Sequence, residues 1–185
     1  MIALGVSVRK SAKAISAEFT RLQQNVKDKA TVRALNRALD AAQTISNREI
    51  RKTYNVKARV ISKAMKKQRA WAGRLRATLE VQGFKIPLIE FSARWSRRQA
   101  GATVQVLRAG GRKTVRGAWI GMHTATGARQ VFKRIGRARY PIVSLRSVSV
   151  PQAFINRAVI RATDAAVVEA FEKNFEQQLR YLTGR

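Results

Sequence analysis

Residues 71–82 read WAGRLRATLEVQ, and the period of the sequence changes in this stretch. An apolar residue or glycine stands at every second position from Trp71 to Val81, and the positions between are mostly polar. This alternation is typical of a β-strand with one buried face, whereas the preceding sequence repeats every three or four residues. The change predicts an α+β fold, in which long amphipathic helices at both ends pack on a central antiparallel β-meander of about five or six strands.

Helical patterns precede this strand. The first apolar stripe is Ala12, Ile15, Phe19, Leu22 and Val26. The second is Val32, Leu35, Leu39, Ala42, either Ile45 or Ser46, and Ile50. Arginines at 33, 37, 48 and 51 lie on the opposite face of the second helix. Residues 27–29 either break the two helices apart or form a polar turn of one long helix. Asn55 is expected to cap a third, shorter helix over Val56–Met65.

Short strand patterns and one last helix follow Gly83, which is expected to end the first strand. The further strand candidates are Pro87–Phe91, Thr103–Arg108, Gly117–Met122, Gln130–Ile135 and Ile142–Arg146. Pro151 suits the first turn of the last helix. The predicted apolar stripe of that helix is Phe154, Ala158, Ala162, Ala165, Val168, Phe171 or Glu172, Phe175, Leu179 and Leu182. The 185 residues are expected to form a single domain, with a helical part (1–66), a basic β part (67–148) and a C-terminal helix (149–185).

The charge is strongly one-sided. The chain has 38 Lys and Arg against 10 Asp and Glu, a net charge of +28. Residues 51–150 hold 24 of the basic residues and two acids, and no acid lies between Glu90 and Asp164. Such a surplus repels itself, so a polyanion or an acidic protein surface is expected as partner. Solubility alone rarely needs so one-signed a block.

Three basic segments form the predicted DNA- or partner-binding site. They contain Arg94, Arg97 and Arg98, then Arg112, Lys113 and Arg116, and then Lys133, Arg134, Arg137 and Arg139. Arginine predominates, and its planar fork binds phosphate or carboxylate through two hydrogen bonds. Trp95, Trp119 and Tyr140 lie among these charges and are able to stack on bases, although tryptophan in a small sheet is more often core. Since no recognition helix stands out, a binder of backbones or protein surfaces is favoured over a sequence-specific reader.

Few residues suit catalysis or metal binding. His123 is the only histidine, which excludes a two-histidine metal site, and a structural role is predicted for it. With no cysteine, disulfides and thiolate chemistry are excluded. Glu80 and Glu90 are expected to pair locally with arginine. The acids of the last helix, Glu169, Glu172 and Glu176, are typical of a solvent-facing side or of a contact for a neighbour's basic patch. We therefore expect no enzyme activity, no cofactor, no metal and no small-molecule substrate.

Two further kinds of site are not supported by the sequence. Residues 109–114 read AGGRKT but lack the spacing of a phosphate-binding loop, and they lie between strands. They predict a basic hairpin tip in which glycines supply positive φ angles. No apolar run approaches the roughly 20 residues of a membrane span, and the first residues do not resemble a signal peptide, so no membrane contact is expected.

Several blocks in order resemble a known family. These blocks are Ala34–Leu39, Arg48–Ala58, Pro87–Arg94, Gly117–Ile120, Val131–Arg134, Arg139–Ile142 and Ser149–Pro151. Over residues 31–155 they resemble the phage minor tail protein Z family, the tail completion proteins of long-tailed phages. The chain departs from the family pattern at Leu145–Ser147, where a Gly-Pro pair is expected before the serine.

The resemblance implies a structural virion protein at the head-proximal end of the tail, the neck, that completes the tail for head–tail joining and DNA passage. It further implies contact with the tail terminator and other neck or tail proteins, a homo-hexameric ring, possible contact with genomic DNA, and assembly in the host cytoplasm. It supplies no catalytic residues. The residues themselves leave two alternatives: a stand-alone, sequence-nonspecific nucleic-acid-binding protein, and an enzyme such as a nuclease, which the thin inventory of acids disfavours.

Overall fold

The computed structural model describes residues 2–4 and 24–183. Its helices are α1 (Gln24–Thr53), α2 (Ala58–Lys63), α3 (Val150–Phe154) and α4 (Arg157–Thr183). Its strands are β1 (Ile2–Leu4), β2 (Met65–Gln68), β3 (Thr78–Val81), β4 (Lys85–Pro87), β5 (Arg94–Ser96), β6 (Gly101–Val104), β7 (Lys113–Arg116), β8 (Ala118–Met122), β9 (Arg129–Arg134), β10 (Ile142–Ser144) and β11 (Arg146–Ser149). Long helices near both ends and antiparallel strand pairs between them confirm the α+β class.

Helix α1 runs without a break through residues 27–29, so this polar segment is one turn of a single helix. The predicted first stripe, Ala12–Leu22, lies outside the described residues. The buried face of α1 consists of Ala30, Ala34, Ala38, Leu39, Ala42, Ser46 and Ile50. Ser46 rather than Ile45 therefore faces inward, and the predicted positions Val32 and Leu35 are only half-buried. The four arginines of the opposite face are exposed, as predicted.

The predicted third helix is shorter than expected. Helix α2 begins after Lys57, whose side chain makes no capping hydrogen bond, and Met65 already belongs to β2. Asn55 is not the cap, because the residue that precedes the helix is Lys57. The backbone N–H of Asn55 instead donates to the carbonyl of Val106 at 2.9 Å. Its side-chain amide donates to Ser92 Oγ at 3.4 Å. Asn55 thus anchors the chain just before α2.

The alternating stretch 71–82 forms a strand only at its end. Strand β3 covers Thr78–Val81 and pairs antiparallel with β1 on one side and β2 on the other. Residues 71–74 form a tight turn in which Trp71 and Arg74 exchange backbone hydrogen bonds of 3.1 and 2.8 Å. The prediction of a strand from Trp71 was wrong because β2 and β3 run in opposite directions, and the chain between them must turn back.

The strands form four small sheets instead of one meander. The sheets are β1-β3-β2, β5-β6-β7, β10-β9-β8 and β11-β4. The candidates Gly117–Met122 and Gln130–Ile135 are confirmed within a residue, Thr103–Arg108 is a strand only to Val104, and Ile142–Arg146 is divided between β10 and β11.

The predicted strand Pro87–Phe91 is mostly a 3₁₀ turn, Leu88–Phe91. Residues three apart lie on one side of such a turn, so Leu88 and Phe91 are both buried. Ser92 ends the turn at φ 54°, a left-handed conformation that stops the regular backbone.

The chain divides into two compact units. The first contains the described residues up to Asn47, Met65–Gln82 and those from Phe154 onward, and the second contains Arg48–Ala64 and Gly83–Ala153. A single domain remains a prediction. In the first unit, Ala30 and Ala34 of α1 pack with Phe175 of α4, and Phe171, Leu179 and Leu182 cover this cluster. Small residues on α1 let the larger side chains of α4 approach closely.

The buried face of α4 differs from the prediction in its first half. Val159, Thr163 and Val167 are buried, whereas Ala158 and Ala165 are exposed. The prediction failed here because it placed only apolar residues on the buried face, whereas the polar Thr163 is buried. Its hydroxyl donates to the carbonyl of Val159 at 2.7 Å and lies 2.9 Å from Ser46 Oγ, so both buried hydroxyls are satisfied. From Phe171 onward the predicted stripe agrees with the structure.

Candidate interaction surface

All ten predicted site residues are exposed and belong to the second unit. Arg94 is on β5, Arg97 and Arg98 are in the turn that follows, and Arg112, Lys113 and Arg116 lie before or on β7. Lys133 and Arg134 end β9, and Arg137 and Arg139 lie between β9 and β10. We call these ten residues the basic surface. All ten residues thus lie on the strands or in the connecting segments of two three-stranded sheets, β5-β6-β7 and β10-β9-β8.

The positive charge of the second unit has almost no internal compensation. The unit holds 20 Lys and Arg but only two acids, Glu49 and Glu90. Glu49 pairs with Lys52 at 2.8 Å and Arg48 at 3.5 Å. The Lys52 hydrogen bond is the main reason that the pKa of Glu49 is lowered. Glu90 pairs with Arg59 at 3.6 Å and Lys57 at 3.9 Å. Within the described residues, neither acid pairs with any member of the basic surface.

The predicted roles of the two isolated glutamates differ in outcome. Glu90 pairs with arginine, as expected. Glu80, in the first unit, instead accepts hydrogen bonds from the amides of Gln68 and Gln82. Glu80 and Gln68 lie on paired strands, where amide and carboxylate meet across the ladder.

Gly101 allows the strands β6 and β7 of the sheet β5-β6-β7 to approach each other closely. It lies opposite Ser96 of β5 and Arg116 of β7. A Cβ atom at position 101 would lie 2.4 Å from the carbonyl oxygen of Val115, closer than any real contact. Because that oxygen belongs to the backbone, it cannot rotate away. The absence of a side chain at position 101 thus sets the distance between β6 and β7 and the placement of Arg116.

Replacing Gly101 by alanine is expected to destabilise the protein by about 1–3 kcal/mol, because β7 must shift to relieve the overlap. Gly111→Ala is the matched control, since a Cβ there meets nothing within 4 Å, and a change within about 0.5 kcal/mol is expected. Urea unfolding of both variants measures the difference. Equal stability of the two variants would contradict the close approach at Gly101.

Arg112 braces its own loop as well as adding charge. Its Nη2 donates to the backbone carbonyls of Ser92 at 2.6 Å and Thr103 at 3.0 Å. Residues 109–112 lie in the connection between β6 and β7, as predicted for a basic hairpin tip. However, Gly110 and Gly111 are not among the glycines with positive φ, which in the described chain are Gly83, Gly117 and Gly127. This connection is stabilised by side-chain hydrogen bonds of Arg112 and of Gln105, whose amide donates to the carbonyls of Arg108 and Gly110 at 3.2 and 3.1 Å.

Aromatic side chains lie beside several of the cations. The Arg134 guanidinium is 5.7 Å from the ring centre of Trp119, and that of Arg139 is 5.7 Å from the ring of Tyr140. Trp119 is half-buried against Phe132, with ring centres 6.1 Å apart. Trp95, by contrast, is 55% exposed, so the core role favoured for tryptophan is wrong at this position. Both distances are within the range of cation–π contact, which restrains the side chains of Arg134 and Arg139 although both residues are exposed.

Sequence reasoning missed an apolar component of this surface. Met122, Ile135, Ile142 and Val143 are exposed on or beside the strands of the β10-β9-β8 sheet. Apolar residues in strand patterns are normally assigned to the core, so no signal in the sequence marked them as exposed. Exposed apolar residues close in sequence to exposed cations are typical of protein–protein interfaces, which combine apolar and polar contacts.

His123, the only histidine of the chain, lies in the second unit. His123 stacks on Phe132 with ring centres 6.4 Å apart, and its buried Nδ1 has no hydrogen-bond partner among the described residues. In the part of the chain that the structure describes, no three His, Asp or Glu side chains converge as metal ligands. None of the described helices combines the length and apolar character needed to span a bilayer.

Comparison with known proteins gives one match. The family model described as prophage minor tail protein Z (GPZ) matches residues 9–185, nearly the whole chain. Neither curated proteins nor solved structures include a significant match.

Proposed function

The chain belongs to the prophage minor tail protein Z family and is therefore a structural protein of the phage tail that interacts with other tail proteins, and from that premise we propose that it completes the tail at its head-proximal end. At the neck it joins tail to head beside the tail terminator, as a homo-hexameric ring assembled in the host cytoplasm. Its basic surface faces the passing DNA or acidic residues of neighbouring rings. The protein acts by binding and not by catalysis.

One observation carries this proposal beyond the family assignment: ten exposed cations lie in a unit whose two acids pair with other residues. A net charge of +18 lowers the stability of a compact unit without a partner, because like charges repel. An anionic partner removes that repulsion. The exposed apolar residues beside the cations favour a partner that is at least in part protein.

The charge of a six-membered ring also favours protein partners. Six chains would carry about 168 positive charges. Duplex DNA offers one negative charge per ~1.7 Å, so a channel of about 40 Å holds roughly 24. DNA alone cannot neutralise such a ring, so we expect much of the charge to face acidic surfaces of adjacent tail or neck proteins or solvent counter-ions. Neutral neighbouring surfaces opposite residues 94–139 in an assembled neck would contradict this distribution.

Deletion of the gene for this chain from the phage or prophage genome tests the proposed location at the head-proximal end of the tail. Without the protein, we expect filled heads and tails of normal length that stay separate in electron micrographs, because the joining end is unfinished. Supplying the intact chain in trans restores joined particles. Joined, infectious particles in the absence of the chain, or tails arrested before reaching full length, would overturn the neck assignment.

Binding to bare nucleic acid separates this role from that of a stand-alone nucleic-acid-binding protein. A free binder loses affinity steeply with salt, by about 10³-fold or more between 50 and 200 mM when six or more phosphates are contacted. For the tail role we expect a Kd for duplex DNA weaker than about 10 μM at 150 mM salt, together with incorporation into particles. Nanomolar DNA binding at that salt by a chain absent from purified particles would favour the alternative.

A further inference from the structure

A second cationic site lies in the first unit, away in sequence from the basic surface. It is a polar cleft of about 460 Å³. Its lining residues are Arg33, Asn36, Arg37, Asp40, Arg69 and Gln178. The first four follow one another on α1 at helical spacing, Arg69 follows β2, and Gln178 is on α4. Three arginines and one acid therefore share a single concave surface.

The carboxylate of Asp40, the one acid that lines the cleft, already has two cationic partners. Asp40 Oδ1 accepts from Lys67 Nζ at 2.8 Å, and both carboxylate oxygens accept from Arg69 Nη2 at 3.0 and 3.3 Å. Partial burial raises the pKa of Asp40, but the bonds from Lys67 and Arg69 outweigh burial and lower it. Asp40 thus stays ionised at neutral pH, and the stabilisation from these bonds is lost only as acid protonates the group.

Among the residues that the structure describes, no acid pairs with the other two arginines. Arg33 Nη1 donates to the neutral amide oxygen of Gln178 at 2.9 Å. Among the described residues, Arg37 has no ion pair. Arg33 and Arg37 are four residues apart on α1, so their guanidinium groups point to the same side. Two unneutralised cations in a concavity raise the local positive potential more than the same cations would on an open surface.

The cleft is also held in shape before any ligand arrives. The Asn36 amide donates to the carbonyl of Ala70 at 3.0 Å and accepts from the Ala70 N–H at 2.9 Å. This two-way bond joins α1 to the residue after Arg69 and holds the side of the cleft that carries Arg69. A site held in this way loses little conformational entropy on binding.

We propose that this cleft binds a carboxylate side chain of an acidic segment from a neighbouring tail protein, with Arg33 and Arg37 as the two donors. The cleft already contains one carboxylate bound to an arginine, that of Asp40 on Arg69. An incoming glutamate would bind Arg33 and Arg37, which precede Asp40 on α1, in the same way. A protruding side chain fits a concavity of this size, whereas the phosphates of duplex DNA lie on a convex cylinder and reach its rim only. The proposal rests on the family's tail role, and not on the neck location.

A blocked hexaglutamate peptide tests the proposal with the full-length chain. Binding is followed by NMR at the Nε–Hε signal of Arg69, which every variant keeps and which reports on the cleft alone. We expect Arg33→Gln/Arg37→Gln to weaken the peptide Kd about tenfold, because two charge-assisted hydrogen bonds are lost. Asp40→Asn is expected to strengthen binding, since it removes from the cleft a negative charge that repels an incoming carboxylate.

Arg157→Gln/Arg161→Gln is the matched control. These two arginines are exposed, four residues apart on α4, and in the same unit. The control is expected to change the Kd by less than about twofold. Equal weakening by both double variants would show a general charge effect and overturn the proposal. It would also fail if a duplex of equal charge shifted the Arg69 signal at lower concentration than the peptide. Neither result bears on particle joining, which tests the neck location separately.

Discussion

Leu39→Asp is expected to destabilise the protein by about 4 kcal/mol or more. Leu39 is 5% exposed on the buried face of α1. The substitution removes a buried aliphatic side chain, which costs about 2–5 kcal/mol, and also places a carboxylate in a buried position, where its desolvation is unfavourable. In a chain of this length, each kcal/mol lowers Tm by about 2–4 °C, so a fall of roughly 10 °C or more is expected in a thermal unfolding measurement.

Thr44→Asp on the same helix is the control. Thr44 is exposed, and its hydroxyl bonds only to the carbonyl of Asp40 in the preceding turn. Threonine and aspartate have similar helix propensity, so a change within about 0.5 kcal/mol is expected. A Tm for Leu39→Asp within two or three degrees of the unsubstituted chain would show that the inward face of α1 has been misassigned.

Charge reversal of Arg134, Arg137 and Arg139 to glutamate is expected to abolish incorporation into particles. The three residues are exposed, and two of them contact aromatic rings, so their replacement costs the fold only about 1–2 kcal/mol. At an acidic partner surface, however, three attractive charges become three repulsive ones, and juxtaposed like charges cost several kcal/mol. We expect infectious titre to fall by about two orders of magnitude or more when this variant is the only source of the protein.

The control for this variant reverses the same number of charges elsewhere. Arg74, Arg76 and Arg157 are exposed residues of the first unit, so Arg74→Glu/Arg76→Glu/Arg157→Glu changes the net charge equally. Its titre is expected to stay within about threefold of the unsubstituted chain, since rim and remote charges contribute little to a complex. Equal loss in both triple variants would assign the effect to net charge. Unfolding of the Arg134 variant would instead assign these arginines to the core.

The sequence predicts the fold best where one period runs over a long stretch. Helix α1 and the second half of α4 follow from their apolar spacing, because each repeats over several turns. The register of α4 near Thr163 did not follow, since a buried hydroxyl paired with Ser46 has the same sequence appearance as a surface threonine. The predicted strand over residues 71–77 was wrong for a different reason. Alternation reflects a local preference for extended backbone, but the antiparallel pairing of β2 and β3 requires the chain to turn between them.

The composition of the candidate surface was predictable, but its internal bonds were not. Exposure of all ten cations follows from their charge, because unpaired Lys and Arg are almost never buried. The Arg112 bonds to Ser92 and Thr103 depend on residues 9 and 20 positions away, and spacing does not encode them. The cleft around Arg37 combines three separate segments of the chain, so only the folded structure brings its cations together.

The four small sheets have a further consequence for the free subunit. Short sheets expose many outer strands, and an outer strand is a template on which another chain can add by backbone hydrogen bonding. In the sheet β5-β6-β7 both outer strands carry cations, Arg94 on one and Lys113 and Arg116 on the other. Two free subunits meeting edge to edge therefore repel. We therefore expect electrostatic repulsion to hinder aggregation of free chains through these two edges.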